Sequence, residues 1–553
     1  MRHYDVVIIG GGPAGSTVSS LVKLYSPQLK ILLLEKAHFP RHHVGESLLA
    51  GGTPVLSEMG VYEKVKQYGF VEKLGATYVW GRDRKPWGFG FDELVTQLEA
   101  QGKSIANIYA KAWQVNRGEY DHLLLKHTAS VGVEVHEGAR VTRVLRTADR
   151  ERVVGVEYTD EQGTHTVEST WLVDCSGQDA LLGRELKLRE YDELMNNYAL
   201  WGYWKGARWK FEYLGQPNLT RIFIATTPRG WLWYIPISRE VVSVGFVTHR
   251  QTLKDMAHGP EQLYLDEIAA CAEVQGLLDG AHLVRIAGDQ KRDVCSIQDW
   301  SYSSRQKSGP GWAMAGDAAG FVDPILSSGV MLAHELGQKA AYTLLSSFAA
   351  NSDEKIQSYW KFYEETYNTY LLAYKEMAHF WYTNNFSMET WWWNAQRILA
   401  QQDSAINLSD REAFVRIAFG YAARTESLSL FGSYPVQDAR QIVDGLFGAN
   451  YNPEELSSKY GNRSIRLADS AKLTRGMYYY WGCIQETRRI IGNDKRYIDL
   501  HPAEEGLLNL LDGSHTLEDL DSAARKIRAN KERTRLGVDL LVQLDNIGAL
   551  ALA

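Results

Sequence analysis

Tyr4-Asp5-Val6-Val7-Ile8-Ile9-Gly10-Gly11-Gly12-Pro13-Ala14-Gly15 is the stretch of sequence that decides the fold. The β-branched residues at positions 6–9 predict a buried strand. This strand runs directly into a glycine-rich turn, and residues 16–24 predict a helix. Residues 31–34 predict a second strand that ends at Glu35, 20 residues after the last glycine of the turn. The order of strand, turn, helix, strand and acid is that of a Rossmann-like unit that binds a dinucleotide.

The turn matches the pattern G-x-G-x-x-G. Glycine lets the backbone approach a pyrophosphate closely, and the N–H groups at the start of the helix offset its negative charge. Glu35 is expected to accept a hydrogen bond from a ribose hydroxyl. The expected contacts of this unit are Gly10, Gly12, Pro13, Ala14, Gly15 and Glu35. The pattern alone does not distinguish FAD from NAD.

Two later segments favour FAD. The first, Gly316-Asp317-Ala318-Ala319-Gly320, follows a strand-like run, and its backbone N–H groups can reach another part of the same cofactor. Asp317 can accept a hydrogen bond from a ribityl hydroxyl of a flavin. The second segment, Trp171-Leu172-Val173-Asp174-Cys175-Ser176-Gly177, is a strand followed by a turn. Together the pieces resemble the FAD-binding scheme of aromatic-hydroxylase-like flavoproteins. No second G-x-G-x-x-G follows a strand, so no separate NADPH-binding domain is expected.

Further segments resemble the flavin-dependent halogenases. Gly230-Trp231-Leu232-Trp233-Tyr234-Ile235-Pro236 is similar to their G-W-x-W-x-I-P signature, and Phe70-Val71-Glu72-Lys73-Leu74-Gly75-Ala76 resembles the segment that carries their essential lysine. Asp323-Pro324-Ile325-Leu326-Ser327-Ser328-Gly329-Val330 looks like their loop beside flavin and halide. Gly45-Glu46-Ser47-Leu48 and Gln114-Val115-Asn116-Arg117 are similar as well. The resemblance covers about residues 1–395.

The resemblance implies an α/β fold, in which a Rossmann-like FAD-binding domain of the glutathione-reductase type carries an inserted substrate-side β-sheet and a mostly helical C-terminal region. It also implies that reduced FAD and O2 convert chloride or bromide into hypohalous acid. This acid would pass through a tunnel to Lys73, which would hydrogen-bond it or become a chloramine. Burial would suit this role, because it lowers the pKa of a lysine. The FAD contacts that the resemblance adds are Lys36, Arg41, Glu46, Ser47, Arg117, Val141, Asp174, Gly177, Gly316, Asp317 and Pro324.

Other interpretations stay open for each of these features. Lys73, taken alone, would be a solvated surface lysine, although its apolar and glycine neighbours favour a strand. Ser328 and Gly329 would bind the halide through backbone N–H groups, or they would only cap the following helix. Trp231 and Trp233 would face the same side of a strand and form a wall between flavin and substrate, or they would be a pair in the core. The residues of the expected wall are Trp231, Trp233 and Pro236.

The loop also bears on the substrate. Halogenases of free tryptophan carry a glutamate where this chain has Leu326, which puts free tryptophan in doubt. The pattern looks more like halogenases of phenols, pyrroles and substrates tethered to carrier proteins. We therefore expect a small electron-rich aromatic substrate, phenolic in the first instance, either free or on an acyl or peptidyl carrier protein. A separate NAD(P)H-dependent flavin reductase would supply the FADH2.

Three other functions compete with halogenation. An FAD-dependent aromatic hydroxylase that uses NADPH would place the ring beside the flavin. A flavin reductase of isoprenoid double bonds would share the early motifs but would have no use for Lys73. The third is a non-catalytic FAD-binding scaffold that recruits a carrier protein.

Composition excludes several classes of protein. The chain has 553 residues, 45% hydrophobic and 23% charged, with 60 basic and 67 acidic residues and a net charge of −7. A mildly acidic chain is not expected to bind nucleic acid. Four scattered cysteines suggest neither disulfides nor a metal site. No apolar run approaches the roughly 20 residues of a membrane helix, and no signal peptide precedes the first strand, which indicates a cytoplasmic protein without membrane contact.

We expect three regions along the chain. Residues 1–350 would form the discontinuous FAD-binding domain, with the substrate-side sheet from about residues 80–105 and 182–290. Residues 351–440 would be an aromatic-rich helical region that packs on this domain or closes over the substrate. Residues 441–553 would form a small helical domain, with a capping box at residues 516–519. Basic residues at 525–535 would be a solvated helix face or would dock an acidic carrier protein.

Overall fold

The computed structural model describes residues 2–80, 84, 86–91, 111–208, 220–254, 259–383, 453–480, 482–493, 497–500, 505–520, 522–523, 541, 544–545 and 548–553. Backbone contacts divide the chain into two units. The first comprises Met1–Gln97, Asn107–Trp391 and Ile417–Tyr421. The second comprises Leu98–Ala106, Trp392–Arg416 and Ala422–Ala553.

The strands in the described ranges are β1 (Arg2–Ile9), β2 (Ile31–Leu34), β3 (Val71–Val79), β4 (Trp87–Gly90), β5 (Ala112–Gln114), β6 (Glu134–His136), β7 (Arg140–Arg146), β8 (Val153–Asp160), β9 (Gly163–Asp174), β10 (Arg189–Lys205), β11 (Thr220–Thr227), β12 (Gly230–Pro236), β13 (Val241–His249), β14 (His282–Val284), β15 (Val294–Ser304), β16 (Ser308–Gly309), β17 (Trp312–Met314), β18 (Gly320–Phe321), β19 (Ser464–Leu467), β20 (Lys472–Tyr480), β21 (Cys483–Ile491), β22 (Tyr497–Asp499), β23 (Asp512–Thr516) and β24 (Leu550–Leu552). The α-helices are α1 (Pro13–Tyr25), α2 (Thr53–Glu58), α3 (Tyr62–Tyr68), α4 (Arg117–Ser130), α5 (Leu181–Glu185), α6 (Arg250–Lys254), α7 (Pro260–Ala270), α8 (Ala272–Leu277), α9 (Gly329–Ala349), α10 (Asp353–Thr383), α11 (Pro453–Tyr460) and α12 (Glu505–Leu508).

The first sheet has the order β16-β17-β9-β1-β2-β6, and β8 joins it to β7. Strands β17, β9, β1, β2 and β6 run parallel to one another, whereas β16 and β8 join the sheet antiparallel. In register, Ile9 lies beside both Leu34 and Asp174. The carboxyl ends of these strands therefore meet at one edge, which is where open α/β sheets bind their ligands. The predicted strand, turn, helix and second strand at the N-terminus are confirmed.

The second sheet has the order β18-β15-β10-β13-β12-β11-β3-β4, with β14 beside β10 and β5 beside β3. Its neighbours are antiparallel except for β3 and β11. This sheet is the predicted insertion, but its strands begin at Val71 and continue to Phe321, beyond the ranges 80–105 and 182–290. The reason is that β10, 17 residues long, recruits β15 as its antiparallel partner. Residues 81–83, 85 and 92–105 of the first predicted range, and residues 209–219 and 255–258 of the second, lie outside the described residues.

Helix α10 carries the predicted aromatic face. Its tyrosines at 359, 363, 367, 370 and 374 are all buried. The Tyr363 hydroxyl donates to the carbonyl of Met314 (2.9 Å), and the Tyr367 hydroxyl donates to the carbonyl of Gly316 (2.8 Å). The helix therefore packs on the FAD-side sheet and belongs to the first unit, so a domain boundary at residue 351 is wrong. Residues 384–440 of the predicted lid lie outside the described residues.

The described part of residues 441–553 corrects the prediction of a small helical domain. It contains two three-stranded sheets, β23-β19-β24 and β20-β21-β22, around a core of leucine and isoleucine side chains. The leucines at 507–511 form only one turn of helix, because the chain enters β23 at Asp512. The capping box is confirmed, since Thr516 and Asp519 exchange side-chain and backbone hydrogen bonds. The basic segment 525–535 lies outside the described residues.

Candidate functional site

A cavity of about 530 Å³ opens at the carboxyl ends of β1, β2, β9 and β17 and extends to one face of the second sheet. Cavities of about 300–1,000 Å³ are typical of small-molecule and cofactor sites. The residues of the sequence prediction that line it are Gly10, Gly12, Pro13, Ala14, Glu35, Lys36, Arg41, Glu46, Ser47, Arg117, Val141, Gly177, Trp231, Trp233, Asp317, Pro324 and Gly329. The structure thus brings together segments that are more than 300 residues apart in the sequence.

The glycine-rich turn leaves no room for side chains. Gly10 has φ +101°, and a Cβ there would lie 2.4 Å from the carbonyl oxygen of Cys175. A Cβ at Gly15 would lie 1.9 Å from the carbonyl oxygen of Gly10. Gly15 does not line the cavity, in contrast to the prediction, because it faces the turn. Its absent side chain lets α1 start directly behind the turn, with its first N–H groups directed at the cavity.

Glu35 is buried and fixes the turn as well as lining the cavity. Its Oε2 accepts from the N–H of Gly11 (2.7 Å) and its Oε1 from the N–H of Ala37 (2.9 Å). A carboxylate has about four acceptor positions, so these two bonds leave capacity for a ribose hydroxyl.

Asp174 and Gly316, which are predicted cofactor contacts, shape the site without lining the cavity. The Asp174 carboxylate accepts from the N–H groups of Ser176 (3.0 Å) and Leu182 (2.7 Å), and burial raises its pKa. Gly316 has φ +60°, and a Cβ there would lie 2.7 Å from the Cβ of Ala14. Both residues therefore hold turns in place, and their neighbours Cys175 and Asp317 line the cavity instead.

Two arginines share one buried carboxylate beside the turn. Arg117 forms a bidentate pair with Asp121 (2.8 and 3.0 Å), and Arg41 lies 3.5 Å from the same group. Burial opposes ionisation of Asp121, but the two arginines outweigh it and hold its pKa below the ordinary value. Two guanidinium groups against one carboxylate leave a net positive charge at the cavity, which suits a phosphate.

Two other carboxyl groups that line the cavity have the opposite tendency. Burial raises the pKa of Asp317 and of Asp323 to about 6. The Asp323 carboxylate accepts from the amide of Asn197 (2.9 Å), from the hydroxyl of Tyr382 (2.9 and 3.1 Å) and from the N–H of Ile325 (2.9 Å). Asp323 begins the loop that is predicted to bind halide, so this loop is tied to two other elements, β10 through Asn197 and α10 through Tyr382.

The loop ends at the start of α9. Ser327 has φ +56°, and Ser328 precedes the helix without forming a side-chain cap. Gly329 lines the cavity, whereas Ser328 is buried away from it, in contrast to the prediction. The lack of a side-chain cap at Ser328 weakens the interpretation that this serine serves only as a helix cap. Backbone N–H groups at this helix start remain suitable for an anion.

The predicted tryptophan wall lies on the face of the second sheet that meets the cavity. The ring centroids of Trp231 and Trp233 are 6.1 Å apart. A Cβ at Gly245 would lie 2.1 Å from the Trp233 indole, so glycine at this position makes room for the ring. Pro236 does not line the cavity, because side chains alternate along a strand and Ile235 takes the position after Trp233.

Lys73 is buried, with 2% of its surface exposed, so the alternative of a solvated surface lysine is wrong. Its Nζ donates to the carbonyl of Leu48 (2.9 Å) and lies 5.8 Å from the ring centroid of Phe91. Burial lowers the pKa of Lys73 to about 7. Lys73 does not line the cavity itself. Its partner Leu48 directly follows Ser47, and Ser47 lines the cavity.

The register of β3 directs Lys73 towards the cavity. Lys73 lies beside position 220 of β11, whereas Ala76 lies beside Ile222, so β3 has one additional residue in this interval. A bulge of this kind re-aims a side chain. It places Lys73 on the same face as Ala76 and Tyr78. Gly75 permits the bulge, since it has φ +145° and a Cβ there would lie 2.1 Å from a carbonyl oxygen of β4.

Sequence reasoning missed a hydrogen-bonded chain at the cavity. The Tyr203 hydroxyl donates to Oε1 of Glu46 (2.9 Å) and lies 2.9 Å from Nε2 of His42. Burial raises the pKa of Glu46 and lowers that of His42, which favours the uncharged forms of both. Glu46 was predicted, but Tyr203 stands in a strand without a motif and gave no signal. Ala199, Ile222 and Ile297 also line the cavity without belonging to a motif, because the alternation of side chains along their strands turns them to its side.

The cavity fits FAD. Gly177 and Gly329 line it, and a Cβ at either position would meet no protein atom within 4 Å, so space beside these backbones is available to a ligand. The glycine-rich turn and the arginine pair suit a pyrophosphate, and the buried acids suit hydroxyl groups. Within the described ranges, no group of three or more histidine, cysteine, aspartate or glutamate side chains could hold a metal ion. Of the helices that the structure describes, none is long and apolar enough to cross a membrane.

Fold and cavity together define a flavoprotein with a Rossmann-like FAD-binding domain. The family model described as "Tryptophan halogenase" matches residues 5–103 and 93–418. The chain therefore belongs to this family and is a flavin-dependent halogenase, which uses FAD and a halide.

Known relatives agree with this assignment. Tryptophan 2-halogenase of Chondromyces crocatus is 32% identical over 415 residues, which cover 74% of this chain and 73% of the relative. The 1H-pyrrole-2-carbonyl peptidyl-carrier-protein chlorinase of Pseudomonas fluorescens is 32% identical over 366 residues, 64% of this chain and 78% of the relative. The crystal structure of CmlS, a flavin-dependent halogenase, has a TM-score of 0.70 at 26% identity and covers 100% of this chain and 96% of that chain.

Proposed function

We propose that this chain uses FADH2, O2 and chloride or bromide to halogenate an electron-rich aromatic ring, with a phenol as the first substrate class. The net reaction converts FADH2, O2, one halide, one proton and an aromatic C–H into FAD, the aryl halide and two molecules of water. The observation that carries the proposal is Lys73, a buried amine beside the cavity with a pKa of about 7. A flavin hydroxylase, which delivers oxygen directly to the ring, has no use for such an amine.

Lys73 would receive the oxidant. Bound FADH2 supplies the electrons that let O2 oxidise the halide to hypohalous acid. At a pKa of about 7, a large fraction of the Lys73 amine is neutral at pH 7 and has a free lone pair. The neutral amine can accept the proton of hypohalous acid in a hydrogen bond, or can attack its halogen, releasing water and forming an N–halogen bond. Either arrangement holds the halogen for attack by an aromatic carbon, which then loses its proton.

The sheet would keep the substrate away from the flavin. Trp231 and Trp233 line the cavity from the sheet side, with Ile222 and Ile235 next to them. Bulky indole rings at this position exclude a second aromatic ring from the flavin. Gly329, at the start of α9, would bind the halide through backbone N–H groups, since it lines the same cavity.

Two considerations guide the substrate class. Leu326 is buried and apolar, so it offers no carboxylate to an indole ring. Phenols are electron-rich without such assistance, which supports a phenol. One relative acts, by its name, on a pyrrole group attached to a peptidyl carrier protein, which supports a carrier-bound substrate as the second form to test. Another relative is named a tryptophan 2-halogenase, so tryptophan belongs in the panel.

The test supplies the purified protein with FAD, a separate flavin reductase, NADH, O2 and either chloride or bromide. The substrates are a panel of phenols, pyrrole-2-carboxylate on a peptidyl carrier protein, and tryptophan, with mass spectrometry as the readout. Monochlorodimedone in a parallel reaction traps free hypohalous acid. Lys73→Ala is the test variant and Lys111→Ala is its matched control, because Lys111 is a partly exposed lysine paired with Glu72 at the other face of the same strand pair.

We expect halogenated product from at least one substrate class with the wild type and with Lys111→Ala. With Lys73→Ala we expect no halogenated product and continued halogenation of the trap. A hydroxylated phenol without halogen would support the aromatic hydroxylase instead. NADPH oxidation by the protein without a reductase would point the same way. Equal product from Lys73→Ala and wild type would contradict the role of Lys73.

A further inference from the structure

Gln114 is a polar side chain for which the described residues provide no hydrogen-bond partner. It is fully buried in β5, and neither its Nε2 nor its Oε1 forms a hydrogen bond to another described residue. The neighbouring Ser47 hydroxyl is also buried and forms no hydrogen bond to another described residue. Leaving a buried amide and a hydroxyl unpaired is unfavourable, so a small polar molecule is the natural partner for these atoms.

The register of the strands places these atoms between the cavity and Lys73. Gln114 lies beside Val71 of β3 on one side and bridges to Ser47 on the other. Paired residues of antiparallel strands point to the same face, and Lys73 follows Val71 by two residues on that face. Gln114 and Lys73 are thus diagonal neighbours, whose side chains come within reach of each other across roughly 7–8 Å.

The ends of this short path are also defined. Ser47 lines the cavity, and the Lys73 amine donates to the carbonyl of Leu48, the next residue in the chain. Ser47 and Gln114 therefore lie next to the segment that holds the Lys73 amine.

We propose that the Gln114 amide and the Ser47 hydroxyl form a binding position for one small neutral molecule that is both donor and acceptor. This molecule is water in the resting protein and hypohalous acid during turnover, so Gln114 positions the oxidant for Lys73. The inference rests on the proposed function and adds to it the residue that bridges the cavity and the amine.

The chemistry of an amide suits this task. Its N–H donates to the oxygen of hypohalous acid, and its carbonyl oxygen accepts the acid's proton, which leaves the halogen free. The amide nitrogen lone pair is delocalised, so the amide is a far weaker nucleophile than an amine and does not consume the oxidant. An uncharged side chain also does not favour halide ion or hypohalite over the neutral acid.

The test compares two variants of neighbouring buried groups. Gln114→Leu removes both polar atoms at nearly constant size. Thr77→Val is the matched control. Thr77 also lies in β3, and its buried hydroxyl has no hydrogen-bond partner among the described residues. Its side chain lies on the opposite face of the sheet, against the apolar core around Phe223. Both variants are assayed as the FAD-loaded protein with reductase, NADH, bromide, the best phenol of the panel and, in parallel, monochlorodimedone.

We expect Gln114→Leu to reduce halogenated phenol per FADH2 oxidised by roughly tenfold or more, the factor for loss of two neutral hydrogen bonds. The sum of trapped and transferred halogen stays at the wild-type level, so the trap gains what the phenol loses. Thr77→Val keeps the wild-type partition. A crystal structure of the wild type shows an ordered water in hydrogen-bonding distance of the Gln114 amide, and this water is absent in Gln114→Leu.

Other results would overturn the inference. An unchanged partition in Gln114→Leu, or an equal change in Thr77→Val, would show that Gln114 does not position the oxidant. So would a wild-type crystal structure in which the amide is paired with protein atoms and no water. If the wild type produces neither trapped nor transferred halogen with any halide, the proposed function itself fails, and the inference fails with it.

Discussion

Lys73→Met is the perturbation that tests the electrostatics of the site most directly. Methionine has nearly the length and volume of lysine, so it fills the same space in β3 without leaving a cavity. It removes the amine and its hydrogen bond to the carbonyl of Leu48. We expect the variant to be inactive in halogen transfer and more stable than the wild type, by an amount that depends on pH.

The magnitude follows from the pKa of the buried amine. A shift from the ordinary value of 10.5 to about 7 corresponds to roughly 5 kcal/mol of destabilisation of the charged form. Loss of the hydrogen bond to Leu48 offsets roughly 1 kcal/mol of the gain. The folded chain binds a proton at this amine only below about pH 7, whereas the unfolded chain binds it up to about pH 10.5. The wild type therefore gains stability relative to the variant as pH rises through this window.

Between pH 6 and pH 9 the advantage of the variant should fall by roughly 2–3 kcal/mol, mostly above pH 7. For a unit of this size, 1 kcal/mol moves the Tm by roughly 1–2 °C. Differential scanning fluorimetry of both proteins at a fixed excess of FAD measures this difference. Lys111→Met is the control, because Lys111 is a partly exposed lysine next to the same strand pair and forms an ion pair with Glu72. A Tm difference between Lys73→Met and wild type that stays constant over this range would refute the assignment of a low pKa to Lys73.

Two further perturbations test how the site is held. Gly75→Ala adds a Cβ 2.1 Å from a carbonyl oxygen, at a position with φ +145°. We expect it to lower the Tm more than Gly69→Ala does, because position 69 has φ +88° but no atom within 4 Å of the added Cβ. Equal losses of Tm would show that the close approach to the carbonyl oxygen does not matter. Tyr382→Phe removes the hydroxyl that accepts from the indole of Trp231 (3.0 Å) and donates to Asp323. We expect the free energy of unfolding to fall by roughly 1–3 kcal/mol. That hydroxyl lowers the pKa of Asp323, which burial has raised to about 6, so its loss raises this pKa further. The folded carboxyl then keeps its proton to higher pH, and the deficit in Tm should be greater at pH 7.5 than at pH 5; the reverse order would contradict the assignment.

Local motifs identified most of the segments that line the cavity. The turn at Gly10 and Gly12, the acid at Glu35 and the segment around Asp317 each combine a short sequence pattern with a steric requirement that few residues satisfy. At φ +101°, with a backbone oxygen 2.4 Å from where a Cβ would lie, position 10 accepts only glycine, so the sequence itself indicates the turn.

The errors arise where a motif contains both lining and supporting residues. Asp174 and Gly316 belong to segments that build the cavity, yet their side-chain directions are fixed by hydrogen bonds and contacts behind its wall. Pro236 belongs to the tryptophan signature, but the alternation of β12 turns it to the opposite face. A motif identifies the segment, whereas the side-chain direction depends on the strand and its partners.

Long-range pairing was the other source of error. The clustered leucines at 507–511 and the capping box at 516–519 predict a small helical domain, but they cover only a short part of this region. The strands that form its two sheets lie mostly elsewhere, and their pairing leaves no pattern in a short window. Tyr203 lies in no motif, and the motif at residues 114–117 says nothing of the role of the Gln114 side chain. Both roles depend on partners far away in the sequence, 157 residues away for Tyr203 and on two other segments for Gln114. Such positions become visible only when burial and hydrogen bonding are examined together.

The position of Lys73 shows how much depends on one backbone irregularity. Without the additional residue in β3, Lys73 would share a face with Thr77 and Val79, which pack on the apolar core around Phe223. A lysine there would carry the same cost of burial and would face no cavity. The bulge instead turns the amine to the side of Ser47, where the proposed mechanism uses an amine of low pKa. The essential feature of the motif at residues 70–76 is therefore the pair of Lys73 and Gly75, because the glycine permits the register that the lysine needs.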